Sequence, residues 1–288
     1  MLTDRVAGAP ISWGVCEVPG WGHQLGPDRV LREMRDAGLA ATEFGPDGFL
    51  PAEPDRRATL LAEYGLAAVG GFVPVVLHDP DHDPVAEVTD ALAGFTAAGA
   101  TTLVLAADTG ATGYDQRVEL DDAAWRRLLA GLDRIRDVAG ERGVTATLHP
   151  HVGTVVERAD DVARVLSGST IPLCLDTGHL MVGGTDPAEL AKQVPDRIAH
   201  THLKDVDAEL ADRVRGGDIA YSAAVAEGMY RPLGAGDAGI AAIIGSLEAA
   251  GYTGWYVLEQ DTVLAEAPRD GAGPLADVLA SLAFVAAL

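Results

Sequence analysis

Three apolar runs in this chain end in side chains that are common metal ligands. The first run ends in Asp176, the second contains His202, and the third ends in Glu259. The three strings are Cys174-Leu175-Asp176-Thr177-Gly178-His179, His200-Thr201-His202-Leu203-Lys204-Asp205 and Val257-Leu258-Glu259-Gln260-Asp261. Two carboxylates and an imidazole at the ends of three buried strands can converge on one divalent cation. The sequence therefore predicts a metal centre, provided that the fold brings the strand ends together.

The elements that would position these residues follow one repeating unit: a short apolar run, a polar loop, and an amphipathic segment rich in Ala, Leu and Arg. The period predicts eight strands, at Val6 to Trp13, Leu39 to Phe44, Leu66 to Val73, Thr101 to Ala106, Val144 to His149, Ile171 to Asp176, Ile198 to Leu203 and Trp255 to Glu259. It predicts eight helices, at Pro27 to Ala37, Pro54 to Tyr64, Pro84 to Ala98, Asp121 to Arg142, Arg158 to Leu166, Pro187 to Val194, Ile240 to Ala250 and about Leu275 to Ala286. Several helices begin with Pro and end at Gly, as helices often do.

Wholly apolar strands that alternate with helices indicate a parallel sheet covered by helices. Eight units in 288 residues fit a closed (β/α)₈ TIM barrel, a single domain over residues 1–288, because such barrels are about 250 residues long. An open doubly wound sheet is the alternative, but no GxGxxG motif follows the first strand. The stretch 205–236 after the seventh strand is longer than an ordinary loop. This length is typical of a lid or binding loop, with a plain surface insertion as the alternative.

Composition and charge exclude several classes of partner. The chain is 48% hydrophobic and 22% charged, and its 43 acidic and 21 basic residues give a net charge of −22. This charge repels phosphate backbones and anionic lipid heads, so we expect neither nucleic acid nor a membrane as a partner. No apolar run approaches the roughly 20 residues of a membrane span, and the segment from Met1 to Val6 lacks the apolar core of a signal peptide. Cys16 and Cys174 are predicted to be buried free thiols of a cytoplasmic protein.

In a parallel barrel, the carboxyl ends of all strands lie on one face, so their polar residues form one candidate site. Most of them are metal ligands or acid–base groups: Glu43, His149, His151, Asp176, His179, His202, Lys204, Glu259 and Gln260. Carboxylate and imidazole ligands without thiolates favour an open catalytic site for Mn²⁺, Mg²⁺, Co²⁺ or Zn²⁺ over a closed structural zinc site.

Lys204 lies two residues after His202, so both side chains point to the same side of a strand. Next to a cation the pKa of Lys204 should fall, which would make the amine a proton acceptor as well as a hydrogen-bond donor. A salt bridge to Asp205 or to a nearby glutamate is the alternative role. The sequence leaves both roles open.

The candidate metal ligands lie in three motifs, Asp176-Thr177-Gly178-His179, His202-Leu203-Lys204-Asp205 and Glu259. Further segments that span almost the whole chain accompany these motifs. These segments are Ala9 to Val15, Thr42 to Gly45, His149 to Glu157, Pro232 to Asp237 and Gly254 to Asp261. Together they resemble the xylose isomerase-like superfamily of sugar isomerases and epimerases, which are metal-dependent TIM barrels acting on sugars and cyclitols. Within that superfamily, the likeness is greatest to members that dehydrate keto-cyclitols.

The resemblance implies four metal ligands, one from each of strands five to eight, in the order Glu, Asp, His, Glu. Asp176, His202 and Glu259 match the last three positions. The fifth strand ends in His149-Pro150-His151, where many relatives have a glutamate. The fourth ligand is therefore one of these histidines or Glu157, and we favour Glu157 because it preserves the charge of the ligand set.

The resemblance also implies a reaction on a small sugar or cyclitol. The expected cofactor is Mn²⁺ or Co²⁺, with Mg²⁺ or Zn²⁺ as alternatives, and the first step is removal of a proton next to a carbonyl. Loss of a β-hydroxyl as water would dehydrate a keto-cyclitol of the 2-keto-myo-inositol type, whereas return of the proton would give an isomerase or epimerase. The expected base is Lys204, with a ligand carboxylate as the alternative, and the expected acid is a fifth-strand histidine, His149 or His151. His179 could also serve as the acid or could orient the substrate or a ligand carboxylate, and Glu43 completes the expected catalytic residues. A non-catalytic sugar-binding barrel is less favoured, as is a DNA endonuclease of the same superfamily, and a homodimer is expected because such barrels frequently pair.

Overall fold

The computed structural model describes residues 2–288, and its main element is a ring of parallel strands that we number β1 to β8. In chain order the strands are Val6–Gly8, Ala41–Thr42, Ala67–Ala68 with Gly70–Val75, Thr102–Ala107, Thr145–Leu148, Leu173–Asp176, Ile198–Leu203 and Tyr256–Leu258. The third strand, β3, has two segments because its ladder is interrupted at Val69. Every pairing within this ring is parallel.

The ring of strands is closed by the pairing of β1 with β8 and by the two segments of β3. On one side β1 pairs with β8, with Val6 opposite Tyr256. On the other side β2 pairs with the first segment of β3, and the second segment pairs with β4. Val69 joins the two ladders, because its N–H donates to the Thr42 carbonyl at 3.0 Å and its own carbonyl accepts from Thr102 at 3.1 Å. The structure is therefore a single (β/α)₈ TIM barrel, as the sequence predicts, and not an open sheet.

Gly70 allows the close approach of β3 to β4. A Cβ atom at this position would overlap the carbonyl oxygen of Thr102 on the neighbouring strand. Only glycine avoids this overlap without moving the backbone. The strand pairing next to the barrel seam thus depends on this residue.

The described helices surround the barrel and are numbered α1 to α11. They are Pro27–Asp36, Pro54–Glu63, Pro84–Ala97, Asp122–Gly140, Ala159–Gly168, Thr177–Val182, Pro187–Gln193, Ala208–Gly216, Tyr221–Ala226, Ile240–Ala249 and Pro274–Ala286. Each of the eight helices predicted from the sequence is present, with ends within two residues of the expected ones. Proline in the first turn and aspartate caps such as Asp83 and Asp121 mark several helix starts.

Local structure differs from the predictions at three places. β1 ends at Gly8, and Pro10–Trp13 forms a 3-10 turn, because Pro10 has no N–H to continue the ladder. The helix α6 follows β6 directly, without a loop. The stretch 205–236 is ordered: it contains α8 and α9, and its ends pair as the antiparallel strands Asp205–Val206 and Tyr230–Arg231.

Two hydrophobic clusters bear on the candidate site. The main cluster fills the barrel and the layer between strands and helices. A smaller one lies under α8 and α9 and includes Trp21, Val152, Tyr221 and Tyr230.

Among residues 2–288, no helix is long and apolar enough to cross a membrane. Both cysteines are free; Cys174 is buried as predicted, whereas Cys16 is only partly buried.

Candidate active site at the carboxyl ends of the strands

Asp176, His202 and Glu259 meet at the carboxyl ends of β6, β7 and β8. His202 Nδ1 lies 3.5 Å from Asp176 Oδ2 and in contact with Glu259 Oε2. Asp176 and His202 are buried, and the side chain of Glu259 is 12% exposed. The fold thus brings together the three residues that the sequence singles out first.

The orientation of Asp176 is set by the helix that follows it. Asp176 is the N-cap of α6, and its Oδ1 accepts the N–H groups of Gly178 at 2.9 Å and His179 at 2.8 Å. Its Oδ2 is turned to the site and lies 3.2 Å from His149 Nε2. One oxygen is therefore structural, and the other is directed at the site.

Lys204 lies among the carboxylates at the end of β7. Its Nζ is 2.7 Å from Asp261 Oδ1, 3.2 Å from Glu259 Oε1 and 3.4 Å from Asp176 Oδ2. Burial opposes the charge on Lys204, but these carboxylates outweigh it and hold the pKa of the amine well above its usual range. The lowering expected from the sequence applies next to a cation, whereas the charged groups that contact the amine here are carboxylates.

The two predicted partners of Lys204 differ in the structure. The salt bridge to a nearby glutamate is present, with Glu259. Asp205 has another role, because its carboxylate accepts backbone N–H groups, among them those of Gly234 and Ala238. Lys204 and Asp205 thus point away from each other, as successive strand residues do.

Asp261, Tyr221 and Tyr230 belong to the site but were not among the predicted residues. The Tyr221 hydroxyl donates to Asp261 Oδ2 and lies 3.1 Å from the Tyr230 hydroxyl. Burial raises the pKa of Asp261, and the charge of Lys204 partly opposes this rise. Asp261 could have been found from its place two residues after Glu259, whereas nothing in the sequence marks the two tyrosines.

The three predicted catalytic histidines form a group next to Asp176. The rings of His151 and His179 lie with centroids 3.7 Å apart and are tilted by 34°, and the His149 ring lies 5.1 Å from that of His151. His151 Nδ1 donates to the Val152 carbonyl at 2.6 Å, and His179 Nε2 lies 2.9 Å from the Lys204 amine. Burial lowers the pKa of all three imidazoles, so each is neutral near pH 7.

Glu157 is not brought to the other candidate ligands. Its Oε2 accepts the N–H of Gly153 at 3.0 Å, within its own loop. In residues 2–288, the groups of potential ligand atoms that lie within 4.8 Å of one another include His149 but not Glu157. His149 is accordingly the fifth-strand residue that contacts Asp176.

Glu43 lies beneath His202, at the end of β2. Its Oε1 is 3.0 Å from His202 Nε2 and 2.7 Å from His200 Nε2. Burial favours the neutral acid, but the two imidazoles outweigh it and hold the pKa of Glu43 well below its usual range. His200 is a further site residue that was not predicted, although its spacing from His202 places both on one side of β7.

A cavity of about 770 Å³ opens above these residues. Its wall combines aromatic side chains with acids and imidazoles, including Trp21, Phe44, Phe72, Glu43, His149, His151, His202, Glu259 and Asp261. Lys204 is not among the described residues that line it. The lysine therefore lies behind Glu259 and Asp261 and not at the cavity surface.

The residues present fit a divalent cation. His202 Nδ1 and Glu259 Oε2 are buried next to each other, and neither has a hydrogen-bond partner among residues 2–288. Three carboxylates, those of Asp176, Glu259 and Asp261, contact a single lysine, and Glu43 contacts His202; a dication would offset this excess of negative charge. Carboxylate oxygens with one imidazole are ligands for first-row dications and for Mg²⁺.

Together, the closed barrel and the carboxylate–histidine cluster define a TIM barrel with a candidate metal site at the carboxyl ends of its strands. The family model described as "Xylose isomerase-like TIM barrel" matches residues 31–282. The chain belongs to this family.

Three similar proteins illustrate the relationship. An inosose dehydratase from Geobacillus kaustophilus (strain HTA426) is 31% identical over 275 residues, which cover 89% of this chain and 87% of the relative. The structure of an L-ribulose 3-epimerase superposes with a TM-score of 0.70 at 19% identity and covers 98% of this chain and 93% of its own. An IOLI protein with a bound zinc atom superposes with a TM-score of 0.67 at 13% identity, covering 96% and 95% of the two chains.

Proposed function

We propose that this protein is a divalent-metal-dependent dehydratase of a keto-cyclitol of the 2-keto-myo-inositol type. The observation that carries the proposal is the buried convergence of Asp176, His202 and Glu259 below a large cavity, with Lys204 contacting both carboxylates. The likeness to an inosose dehydratase over most of both chains supports the same reaction.

Asp176, His202 and Glu259 would hold the cation, and we propose His149 as the fourth donor in place of Glu157. His149 contacts the same oxygen of Asp176 that faces the site, whereas the Glu157 carboxylate is used by Gly153. When bound, the cation supplies Lewis acidity that stabilises negative charge on a ketone oxygen. The zinc atom in the IOLI structure, a protein of the same fold, is compatible with this cofactor.

The cavity suits an uncharged, polyhydroxylated ring. Acids in its wall, such as Glu259 and Asp261, accept hydrogen bonds from hydroxyl groups and repel phosphate or carboxylate groups. Phe44 and Phe72, also in the wall, offer apolar contact to ring C–H groups. We therefore expect a free cyclitol or sugar as substrate, and not a phosphorylated one.

Two groups would carry the protons of the reaction. His151 lines the cavity, and because its Nδ1–H is donated to the Val152 carbonyl, the Nε2 lone pair is free to accept the substrate proton. The ammonium of Lys204 would return a proton to the departing hydroxyl through Asp261, which contacts both the amine and the cavity. This assignment exchanges the roles expected from the sequence, because His151 lines the cavity with a free nitrogen, whereas Lys204 lies behind Asp261.

The test is turnover of 2-keto-myo-inositol by the purified protein with Mn²⁺, Co²⁺, Mg²⁺ or Zn²⁺, followed by the absorbance of the dione product. We expect metal-dependent turnover that falls at least about 100-fold in Asp176→Ala and in Glu259→Ala. Glu33→Gln is the matched control, because this buried carboxylate contacts Trp13 and Arg29 and lies on α1. Absence of product with all four metals, in folded and metal-loaded protein, would refute the dehydratase proposal.

A ketose or cyclitol isomerase or epimerase is the second candidate, and the fold similarity to an L-ribulose 3-epimerase favours it. Proton removal next to the carbonyl is common to both reactions. Incubation in deuterium oxide separates them: deuterium in recovered ketone or its epimer, without loss of water, indicates the epimerase. If the protein shows neither deuterium exchange nor turnover, this result would indicate a barrel that only binds sugar.

A further inference from the structure

The two ring nitrogens of His202 contact different carboxylates. Its Nε2 lies 3.0 Å from Oε1 of Glu43, which follows β2. Its Nδ1 faces Asp176 Oδ2 and Glu259 Oε2, on the side of the cavity. His202 is thus the link between the proposed metal ligands and the residues below them.

The contact with Glu43 determines which nitrogen of His202 has a free lone pair. An ionised carboxylate only accepts hydrogen bonds, so the Nε2 atom that contacts Glu43 must carry a hydrogen. In a neutral imidazole the other nitrogen then has a lone pair, and this nitrogen is Nδ1, the atom that faces Asp176 and Glu259. The carboxylate oxygens that face Nδ1 need a positive group between them and the ring, either a proton on Nδ1 or a cation bound to its lone pair.

His200 holds Glu43 in the position that this arrangement needs. Its Nε2 lies 2.7 Å from the same Oε1 atom that contacts His202. His200 is buried and, among the described residues, does not line the cavity. It therefore acts on Glu43 and not on a substrate.

We propose that Glu43 and His200 form a buried positioning pair that presents Nδ1 of His202 to the metal. Neither residue is a ligand or a proton-transfer group in this role. The inference rests on the metal dependence in the proposed function, but not on the identity of the substrate. Histidine ligands whose second nitrogen donates to a carboxylate generally bind metal about 10- to 100-fold more tightly than those without this partner.

The experiment measures Zn²⁺ and Co²⁺ affinity by competition with a chromophoric chelator, without substrate. Glu43→Gln keeps an oxygen that can accept both N–H groups but removes the charge, and we expect affinity to fall about 10- to 100-fold. His200→Phe keeps a ring of similar size but frees Glu43 on one side, and we expect a smaller loss. Glu33→Gln, which removes the charge of a buried carboxylate bonded to Trp13 and Arg29, should leave the affinity unchanged.

Nitrogen-15 NMR of histidine-labelled protein loaded with Zn²⁺ gives an independent readout. We expect the metal on Nδ1 of His202 and a proton on Nε2. Metal on Nε2, unchanged affinity in Glu43→Gln, or a wild-type protein that binds neither metal would each overturn the inference. A protein that binds metal as described here but does not turn over 2-keto-myo-inositol would refute the proposed substrate alone.

Discussion

Asp261 connects the buried lysine to the cavity. One of its oxygens lies 2.7 Å from the Lys204 amine, and the other accepts the Tyr221 hydroxyl. Both contacts leave the Asp261 side chain with little freedom, although it forms part of the cavity wall. At the scale of single residues, the proposed proton transfer therefore depends on Asp261 as much as on Lys204.

Asp261→Asn tests this dependence. The variant removes the charge that holds the ammonium, so we expect kcat to fall about 100-fold, the order of loss for a misplaced catalytic group. KM and metal affinity should stay within a few fold, because the proposed ligands are intact. Tyr230→Phe is the control: among residues 2–288 its hydroxyl contacts only that of Tyr221, and kcat should change less than about twofold. A loss of metal affinity as large as the loss of kcat would contradict the role.

The segment 205–236 is the element that covers the site from the side of β7. It supplies Tyr221 and Tyr230, and Asp205 joins its two ends. Asp205 Oδ2 accepts the N–H groups of Gly234 at 2.8 Å and Gly236 at 3.0 Å. The segment thus returns to its start through hydrogen bonds to one buried carboxylate.

Asp205→Asn should loosen this segment. Oδ1 of Asp205 also accepts the N–H groups of Val206 and Ala238, and an amide would direct its own N–H groups at one of the two pairs of donors. We expect the free energy of unfolding to fall by about 2 to 3 kcal/mol, as for hydrogen bonds to a buried charge, measured by urea denaturation. Asp207→Asn is the matched control, because Asp207 is more exposed and caps α8; its loss should be below about 1 kcal/mol. Equal losses would show that the carboxylate of Asp205 has no special role.

The whole molecule concentrates negative charge near its site. The net charge is −22, and the barrel collects four carboxylates from β2, β6 and the end of β8 within contact of His202 and Lys204. Such a cluster costs stability through repulsion, since the single positive charge of Lys204 does not balance it. A bound dication should therefore stabilise the fold as a whole.

This stabilisation is measurable by thermal unfolding with and without metal. At a free metal concentration 100 times Kd, binding adds about 2.7 kcal/mol to the free energy of unfolding, and chelation by EDTA should reverse the gain. Asp176→Ala should abolish the gain, whereas Glu157→Gln should retain it, because the Glu157 carboxylate is bonded to Gly153. Loss of the gain in Glu157→Gln would restore Glu157 as the fourth ligand.

The architecture follows from local patterns in the sequence. The apolar runs that end at Asp176, Leu203 and Glu259, together with Pro at helix starts, predict the barrel because each signal acts within a few residues. Asp176, His202 and Glu259 could be named because parallel barrels place all carboxyl strand ends on one face. The sequence by itself thus determined the fold class, the elements and three residues of the site.

The tertiary structure alone decided which groups share a hydrogen bond. Glu43 and His202 are 159 residues apart, and Tyr221 and Asp261 are 40 apart, so no local pattern could pair them. The same holds for the contact of His149 with Asp176 and for the hydrogen bond that Glu157 accepts from Gly153. The physical reason is that hydrogen bonds and charge contacts act over a few ångströms, and only the closed barrel determines which distant residues come that close.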